Sequence, residues 1–179
     1  MKKLSILLFS AILFSCSSSD SETPLIEAPN ITFDVNAAIL LAPGSDITSL
    51  VTFNGQPAAT YTSTLELNSI LSVGRPGGLL ASDEFIYDNV VFKDNNGEEV
   101  IIDENTLISS DGNLKITVPA GKPADYYDGN YDIDVFNVQA IKTSSTGDID
   151  YKYDLYVIIK RNGTEYGPFL IDPKIKIRS

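Results

Sequence analysis

The chain of 179 residues contains no histidine, no tryptophan and a single cysteine, Cys16. Without histidine there is no imidazole base, no Ser-His-Asp or Cys-His nucleophile, and no His/Cys cage for zinc or copper. One cysteine also excludes an internal disulfide. We find no glycine-rich phosphate loop, HExxH or CxxC motif. The chemistry that remains is that of carboxylates and of metals that prefer oxygen ligands.

Positive charge is scarce throughout the chain. Thirteen Lys and Arg face 24 Asp and Glu, a net charge of −11. Residues 1–15 hold two of the lysines and no acid, so the remainder carries −13. A surface of that sign repels phosphate backbones, and we therefore predict that the protein does not bind nucleic acid.

Long hydrophobic runs are also missing, and the most apolar stretch, Leu4 to Phe14, is short. A helix that spans a bilayer needs about 20 apolar residues. The stretch follows the positively charged start Met1-Lys2-Lys3, an order that is typical of a secretory signal. We therefore predict that residues 1–15 are a signal peptide.

The end of this segment, Leu13-Phe14-Ser15-Cys16, resembles the lipobox of bacterial lipoproteins. The acidic, serine-rich residues 17–24 resemble the export signals of Bacteroidota-type envelope lipoproteins, and the alternative is a solvated linker. The lipobox resemblance implies that Cys16 becomes the N-terminus and carries acyl chains, which anchor firmly when two or more are present. Residues 16–29, rich in Ser, Asp and Glu, then form a flexible tether. Since aspartate does not follow Cys16, the resemblance implies the outer membrane, on its periplasmic or outer face. The alternative is a plain secretory signal with a chance or structural thiol.

The remaining residues, 30–179, read as one all-β domain. Asn-Gly and Asp-Gly pairs, which favour tight hairpin turns, separate short apolar runs, and no long amphipathic helical stripe occurs. Apolar and polar residues alternate clearly from Tyr151 to Ile159. The pairs lie at residues 54–55, 96–97, 111–112 and 162–163. We predict an antiparallel β-sandwich.

One stretch narrows the fold class further. Residues 128–133, Asp-Gly-Asn-Tyr-Asp-Ile, resemble the turn into strand F of immunoglobulin-like domains, where a tyrosine hydroxyl bonds back to the chain. The resemblance implies that Tyr131 is this corner residue and that Ile133 and Val135 point into the core. The tryptophan and cysteine pair of antibody domains are absent. The expected fold is an immunoglobulin-like sandwich.

The same stretch offers a calcium candidate, because Ca²⁺ takes six to eight oxygen ligands. Asp128, Asn130 and Asp132 are its central residues, with Asp125 and Asp134 on either side. The spacing is superficially that of an EF-hand loop, without its glycine and its final glutamate. The alternative is the solvated face of a strand.

A ligand-binding cluster is the second candidate in this region. Tyr126 and Tyr127 could offer apolar ring faces to a sugar while Asp128 and Asn130 bind its hydroxyls. Tyr151 and Tyr153 could extend such a platform. Alternatively Tyr131, Tyr151 and Tyr153 are core or cross-strand residues, since tyrosine is common in strands.

Basic residues concentrate at the C-terminal end. Residues 152–179 carry six bases and three acids. This segment could dock an anionic partner or a glycan. Alternatively its lysines protect an edge strand from pairing with other chains, and they balance the acidic remainder of the fold.

Together these features predict a membrane-anchored lipoprotein of the cell envelope with a non-enzymatic binding or structural domain and no catalytic residue. Its only cofactor is the lipid on Cys16, with calcium as an option, and its partner is a glycan or an envelope protein. A surface glycan-binding module is the first alternative. A glycoside hydrolase with two carboxylates about 5 or 6.5–9.5 Å apart is the second.

Overall fold

A computed structural model describes residues 23–144 and 146–179. The predicted signal peptide, residues 1–15, and Cys16 lie outside these residues. The described fold is nearly all-β, with one short α-helix, α1, at Val35–Ala38 and a single 3-10 turn at Thr48–Leu50. The strands are β1 Ile26–Glu27, β2 Ile31–Phe33, β3 Val51–Phe53, β4 Gln56–Pro57, β5 Thr62–Leu65, β6 Ile70–Val73, β7 Glu84–Lys93, β8 Glu99–Val100, β9 Leu114–Ile116, β10 Phe136–Ala140, β11 Ile149–Arg161, β12 Thr164–Ile171 and β13 Lys174–Ile177. Within this part of the chain no helix has the length and apolar character to cross a bilayer.

The strands form three sheets. The largest has the order β5-β13-β11-β7-β8, and β12 continues beside β11 where β13 ends. A second sheet has the order β1-β6-β10-β9, and a small third one has the order β2-β3-β4. We call the largest the main sheet and the second the opposing sheet.

Asn-Gly turns create the hairpins that the sequence predicts. Asn54 and Asn162 have φ of 51° and 53°, and the glycines after them have 78° and 76°. Two successive residues with positive φ give the turn whose twist matches that of the flanking strands. The turns join β3 to β4 and β11 to β12, and the 95–97 turn joins β7 to β8. These hairpins are confirmed.

The alternation in β11 divides the main sheet into an inner and an outer face. Tyr151, Tyr153 and Leu155 are at most 2% exposed and belong to one continuous apolar core. Phe92 of β7 meets Phe136 of β10 with ring centroids 6.1 Å apart, so the two larger sheets face each other across this core.

The antiparallel prediction holds for most strand pairs but not for two. β5 pairs with β13 in parallel, and β1 pairs with β6 in parallel. β1 also lies inside the segment predicted to be a tether. Within the described residues, the hydrogen-bonded fold therefore already includes Leu25, Ile26 and Glu27, ahead of residue 30.

The predicted corner tyrosine is wrong. Tyr131 is 43% exposed and lies in an irregular segment that precedes β10. Its hydroxyl reaches only Asp125 Oδ1, at 3.5 Å. Ile133 and Val135 are half-buried and lie before the strand rather than in it. The glycine-rich turn motif does not determine which of the neighbouring tyrosine rings becomes buried.

The basic C-terminal segment does not protect an edge. β13 lies between β5 and β11, so both of its sides are hydrogen-bonded. The open side of β12 is covered by residues 44–47, which bond to Pro168 and Leu170. Charge balance is confirmed instead, because five of the six bases pair with acids, as in the Lys176 pairs with Asp148 and Asp150.

Candidate functional site

The predicted platform of four tyrosines does not form, although Tyr127 and Asp128 line a separate open concavity beside Glu104 and Asn105. Tyr126, Tyr151 and Tyr153 are at most 2% exposed, so none of the three offers a ring face to solvent. Tyr127 is half-buried, and its hydroxyl accepts from Asn137 N at 3.2 Å. Burial raises the pKa of Tyr127 to about 12. The alternative interpretation is confirmed for Tyr151 and Tyr153, which belong to the core, and is wrong for Tyr131, which is 43% exposed.

Tyr126 has the tying role that the sequence assigned to Tyr131. Its hydroxyl donates to Asp134 Oδ1 at 2.7 Å and accepts from the backbone N–H groups of Asp134 and Val135, at 2.8 and 3.2 Å. Burial is the main reason why the pKa of Tyr126 is raised. These bonds fix the irregular segment that leads into β10.

The acidic residues of this region do not converge on a calcium site. Asp134 Oδ1 accepts from Lys122 Nζ at 2.7 Å, and Asp132 lies 3.4 Å from Lys160 Nζ. Burial alone would raise the pKa of Asp134, but hydrogen bonds from Lys122 and Tyr126 outweigh it and lower the pKa. Asp128 and Asn130 are exposed. Over residues 23–144 and 146–179, no three His, Cys, Asp or Glu side chains come together to hold a metal.

A concave site lies elsewhere, on the outer face of the main sheet. It is an open groove of about 790 Å³ between the 94–97 turn and β5. We call it the outer groove. Its floor consists of the outward residues of β13, β11 and β7, and its lining side chains are almost all charged or amide. A neighbouring concavity around Asp46, Thr48 and Ser49 shares Lys152, Asp172 and Lys174 with it.

Three lysines form one row across the floor of this groove. Lys152 of β11 is directly opposite Lys174 of β13 on one side and Lys93 of β7 on the other. Directly opposed residues point to the same face, so the three side chains project together. We call them the lysine row. Neighbouring strands are about 4.8 Å apart, and the row therefore spans roughly 10 Å.

Two of these lysines have carboxylate partners beside the row. Lys93 Nζ lies 2.5 Å from Asp154 Oδ2, and Lys152 Nζ lies 3.0 Å from Asp172 Oδ2. The hydrogen bond to Asp154 raises the pKa of Lys93, so its ammonium group stays protonated. Lys174 is exposed, and no carboxylate of the described chain lies within 4 Å of its amine.

The rim of the groove is a rigid turn. Asp94 Oδ1 accepts from the backbone N–H groups of Asn96 and Glu98 at 2.8 and 2.9 Å. The bond from Glu98 contributes most to the lowered pKa of Asp94. The turn therefore holds the side chains of residues 95 and 96 at the edge of the groove.

Sequence reasoning missed the lysine row because the row can be recognised only from the register of three strands. Lys152 and Lys174 belong to the basic segment noted in the sequence, but Lys93 lies far from both along the chain. Only the pairing of β7 with β11 brings it beside them. The sequence did contain one signal for the row. Positive charge is scarce in the chain, and it is concentrated in C-terminal strands in which apolar and charged residues alternate.

Fold and site together define a nearly all-β protein with an open, charged groove on one sheet face. No family model matches the chain, and the comparison with curated proteins finds no match. Among solved structures, the inclusion body protein PixA from Burkholderia cenocepacia J2315 is similar, with 10% identity and a TM-score of 0.41 over 89% of this chain and 98% of that one. A likeness of that degree carries no argument about function.

Proposed function

We propose that the protein is a lipid-anchored protein of the cell envelope whose β-domain is a non-enzymatic binding or structural module. The observation that carries the anchor is the position of Cys16, directly after an apolar segment and directly before a polar one. The described chain then enters the fold at β1, on the edge of the opposing sheet.

The order of strands supports an immunoglobulin-like sandwich. Immunoglobulin domains combine a sheet with strands B, E and D side by side and a sheet with G, F and C, to which variable-type domains add C′. Across the opposing sheet, β6, β10 and β9 lie side by side as B, E and D do, and they also follow one another along the chain as B, D and E do. β13, β11, β7 and β8 take the places of G, F, C and C′. Strands β1 to β5, helix α1 and strand β12 lie outside this correspondence.

The carboxyl groups support binding rather than hydrolysis. A glycoside hydrolase needs a carboxyl that stays protonated, with a raised pKa, to act as general acid. In residues 23–144 and 146–179, every carboxyl whose pKa is shifted is shifted downward, namely Asp83, Asp94, Asp103, Asp111 and Asp134. In the groove, Asp154 and Asp172 are ion-paired with lysines. The glycan-binding alternative, by contrast, has the open groove in its favour.

Replacement of Cys16 tests the anchor. The full chain with Cys16→Ala should move from the membrane fraction to the soluble fraction, because the thiol that would carry the lipid is lost. Ser18→Ala, two residues away, is the matched control and should stay with the membranes. If Cys16→Ala still sediments with membranes after a high-salt wash, lipid does not hold the protein.

The membrane face needs a separate measurement. We propose the outer membrane because Ser17, not aspartate, follows Cys16. A membrane-impermeant amine reagent applied to intact cells should label the exposed Lys174 if the domain faces outward. Labelling only after the cells are broken would indicate the periplasmic face.

A further inference from the structure

The lysine row is an arrangement that folding alone disfavours. Like charges directly opposite each other on neighbouring strands are destabilising. In a chain with 24 acids and 13 bases, most opposed pairs of charges would be expected to be of opposite sign or both acidic. Lys93, Lys152 and Lys174 nevertheless stand side by side in register. Lys93 and Lys152 each have a carboxylate partner, whereas Lys174 has none among the described residues.

The row is accessible to a ligand. The side chains of Lys93 and Lys152 are 36% and 49% exposed, and Lys174 is exposed and has no ion pair within the described chain. All three line the same groove. A ligand anion placed over the row would reach Lys174 without displacing an existing carboxylate, and it would relieve the repulsion among the three ammonium groups.

The rest of the lining indicates which kind of anion fits. Asp94, Asp150, Asp154 and Asp172 alternate with the lysines, and Asn95 and Asn96 stand at the rim. Carboxylates accept hydrogen bonds from hydroxyl groups, and amides both donate and accept. The same carboxylates repel a ligand with a dense run of negative charge, such as a nucleic acid or an acidic peptide. The lining thus matches a chain rich in hydroxyls with widely spaced anionic groups.

We propose that the outer groove binds an acidic oligosaccharide, with a carboxylate or sulfate of the sugar over the lysine row and its hydroxyls on the flanking carboxylates and amides. This inference deepens the glycan-binding alternative of the proposed function and rests on it. The row is about as long as a disaccharide unit. Lys174 is the residue whose amine is available for the ligand anion, and Lys152 is the centre of the row.

Calorimetric titration of the full chain in detergent tests the proposal. The probes are a hyaluronan oligosaccharide, which carries a carboxylate only on every second sugar, a sulfated galactan oligosaccharide with a sulfate on every second sugar, and a neutral cello-oligosaccharide of equal length. Inorganic sulfate and polyglutamate are titrated beside them. The variants are Lys174→Ala and Lys152→Ala, with Lys142→Ala as the control, since Lys142 is an exposed lysine outside the groove.

We expect at least one acidic oligosaccharide to bind and the neutral one not to bind. Lys174→Ala and Lys152→Ala should each weaken binding about tenfold or more, as expected for the loss of a charge-assisted hydrogen bond. Lys142→Ala should leave the affinity unchanged. Raising the salt from about 0.1 M to about 1 M, which shortens the Debye length from about 10 Å to about 3 Å, should weaken binding as well.

The urea midpoint separates a binding role from a structural one. Because Lys174 has only like charges beside it in the row, Lys174→Ala should leave the midpoint unchanged or raise it while binding falls. A lowered midpoint together with unchanged binding would overturn the proposal. So would silence toward both acidic oligosaccharides, equal loss in Lys142→Ala, or tighter binding of polyglutamate. Sulfate that binds as tightly as the sulfated oligosaccharide would also overturn it, since the sugar would then contribute nothing.

Failure of this inference is distinguishable from failure of the anchor. Membrane sedimentation depends on Cys16 and is not changed by the groove variants. Conversely, Cys16→Ala leaves the groove intact, and its sugar binding should equal that of the wild type. Each result therefore stands without the other.

Discussion

The same substitution, tyrosine to phenylalanine, is expected to stabilise the fold at one buried tyrosine and to destabilise it at another. Tyr153 is 0% exposed, stacks near Phe92 at 6.2 Å between ring centroids, and has a hydroxyl with no hydrogen-bond partner among the described residues. Burial raises the pKa of Tyr153 well above its ordinary value. Tyr126 is 2% exposed, and its hydroxyl makes three hydrogen bonds.

The magnitudes follow from these contacts. A buried polar group without a partner is destabilising by about 1–3 kcal/mol, because its hydration in the unfolded chain is not replaced. Tyr153→Phe removes that hydroxyl and keeps the ring, so we expect about 1 kcal/mol of added stability. Tyr126→Phe loses three bonds of about 0.5–1.5 kcal/mol each, and we expect a loss of about 3 kcal/mol.

Urea unfolding of the two variants measures both effects. The m-value should stay constant because the surface exposed on unfolding hardly changes, so the midpoints report stability directly. In a thermal scan, about 1 kcal/mol corresponds to roughly 2–4 °C for a domain of this size.

A loss of about 1 kcal/mol or more in Tyr153→Phe, roughly one hydrogen bond, would refute the reasoning. It would mean that the hydroxyl of Tyr153 is satisfied in solution, for example by a water shared with Ser63, whose Oγ is also buried without a partner in the described chain. The double variant with Ser63→Ala then separates the two cases. If water bridges the pair, the two substitutions will not be additive.

The remaining predictions concern pH and backbone space. The hydrogen bond from Arg161 lowers the pKa of Asp83, so this carboxylate adds stability above its unfolded pKa and loses it as the pH falls through the folded one. Asp83→Asn should therefore flatten the fall of the urea midpoint below about pH 4. Burial raises the pKa of Tyr127 to about 12. The contribution of its neutral hydroxyl to folding stability is therefore complete below the ordinary tyrosine pKa and is lost as the pH rises toward 12. An absorbance titration of Tyr127→Phe against wild type will show the raised pKa. A Cβ at Gly78 would overlap a strand carbonyl, whereas one at Gly44 meets open space at a similar positive φ. Gly78→Ala should lower the melting temperature far more than Gly44→Ala, and equal effects would contradict the overlap.

The ion pair between Asp83 and Arg161 also explains how distant segments of the fold are held together. Arg161 Nε and Nη2 donate to the two oxygens of Asp83 at 2.8 and 2.6 Å, and Nη1 donates to Asn36 Oδ1 at 2.9 Å. The planar guanidinium thus joins the end of β11, the segment before β7 and helix α1. Such a fork-shaped contact needs arginine, because lysine offers no bidentate geometry.

Local patterns in the sequence were sufficient for the β-class and for the hairpins. Asn-Gly pairs readily adopt positive φ, so the turns at residues 54–55 and 162–163 do not depend on distant contacts. The alternation from Tyr151 to Ile159 likewise determined which face of β11 is buried, because successive side chains of a strand point to opposite sides. The absence of histidine by itself excluded imidazole catalysis and His/Cys metal cages, since both depend on a residue type that the chain lacks.

Tertiary structure alone decided which tyrosine is buried and tied, that β13 is an inner strand, and that Lys93 joins Lys152 and Lys174. Each depends on which strands become neighbours and in what register, and a shift of a single residue would turn every side chain of a strand to the other face. Such pairings join residues far apart in the chain, so no short window of sequence contains them.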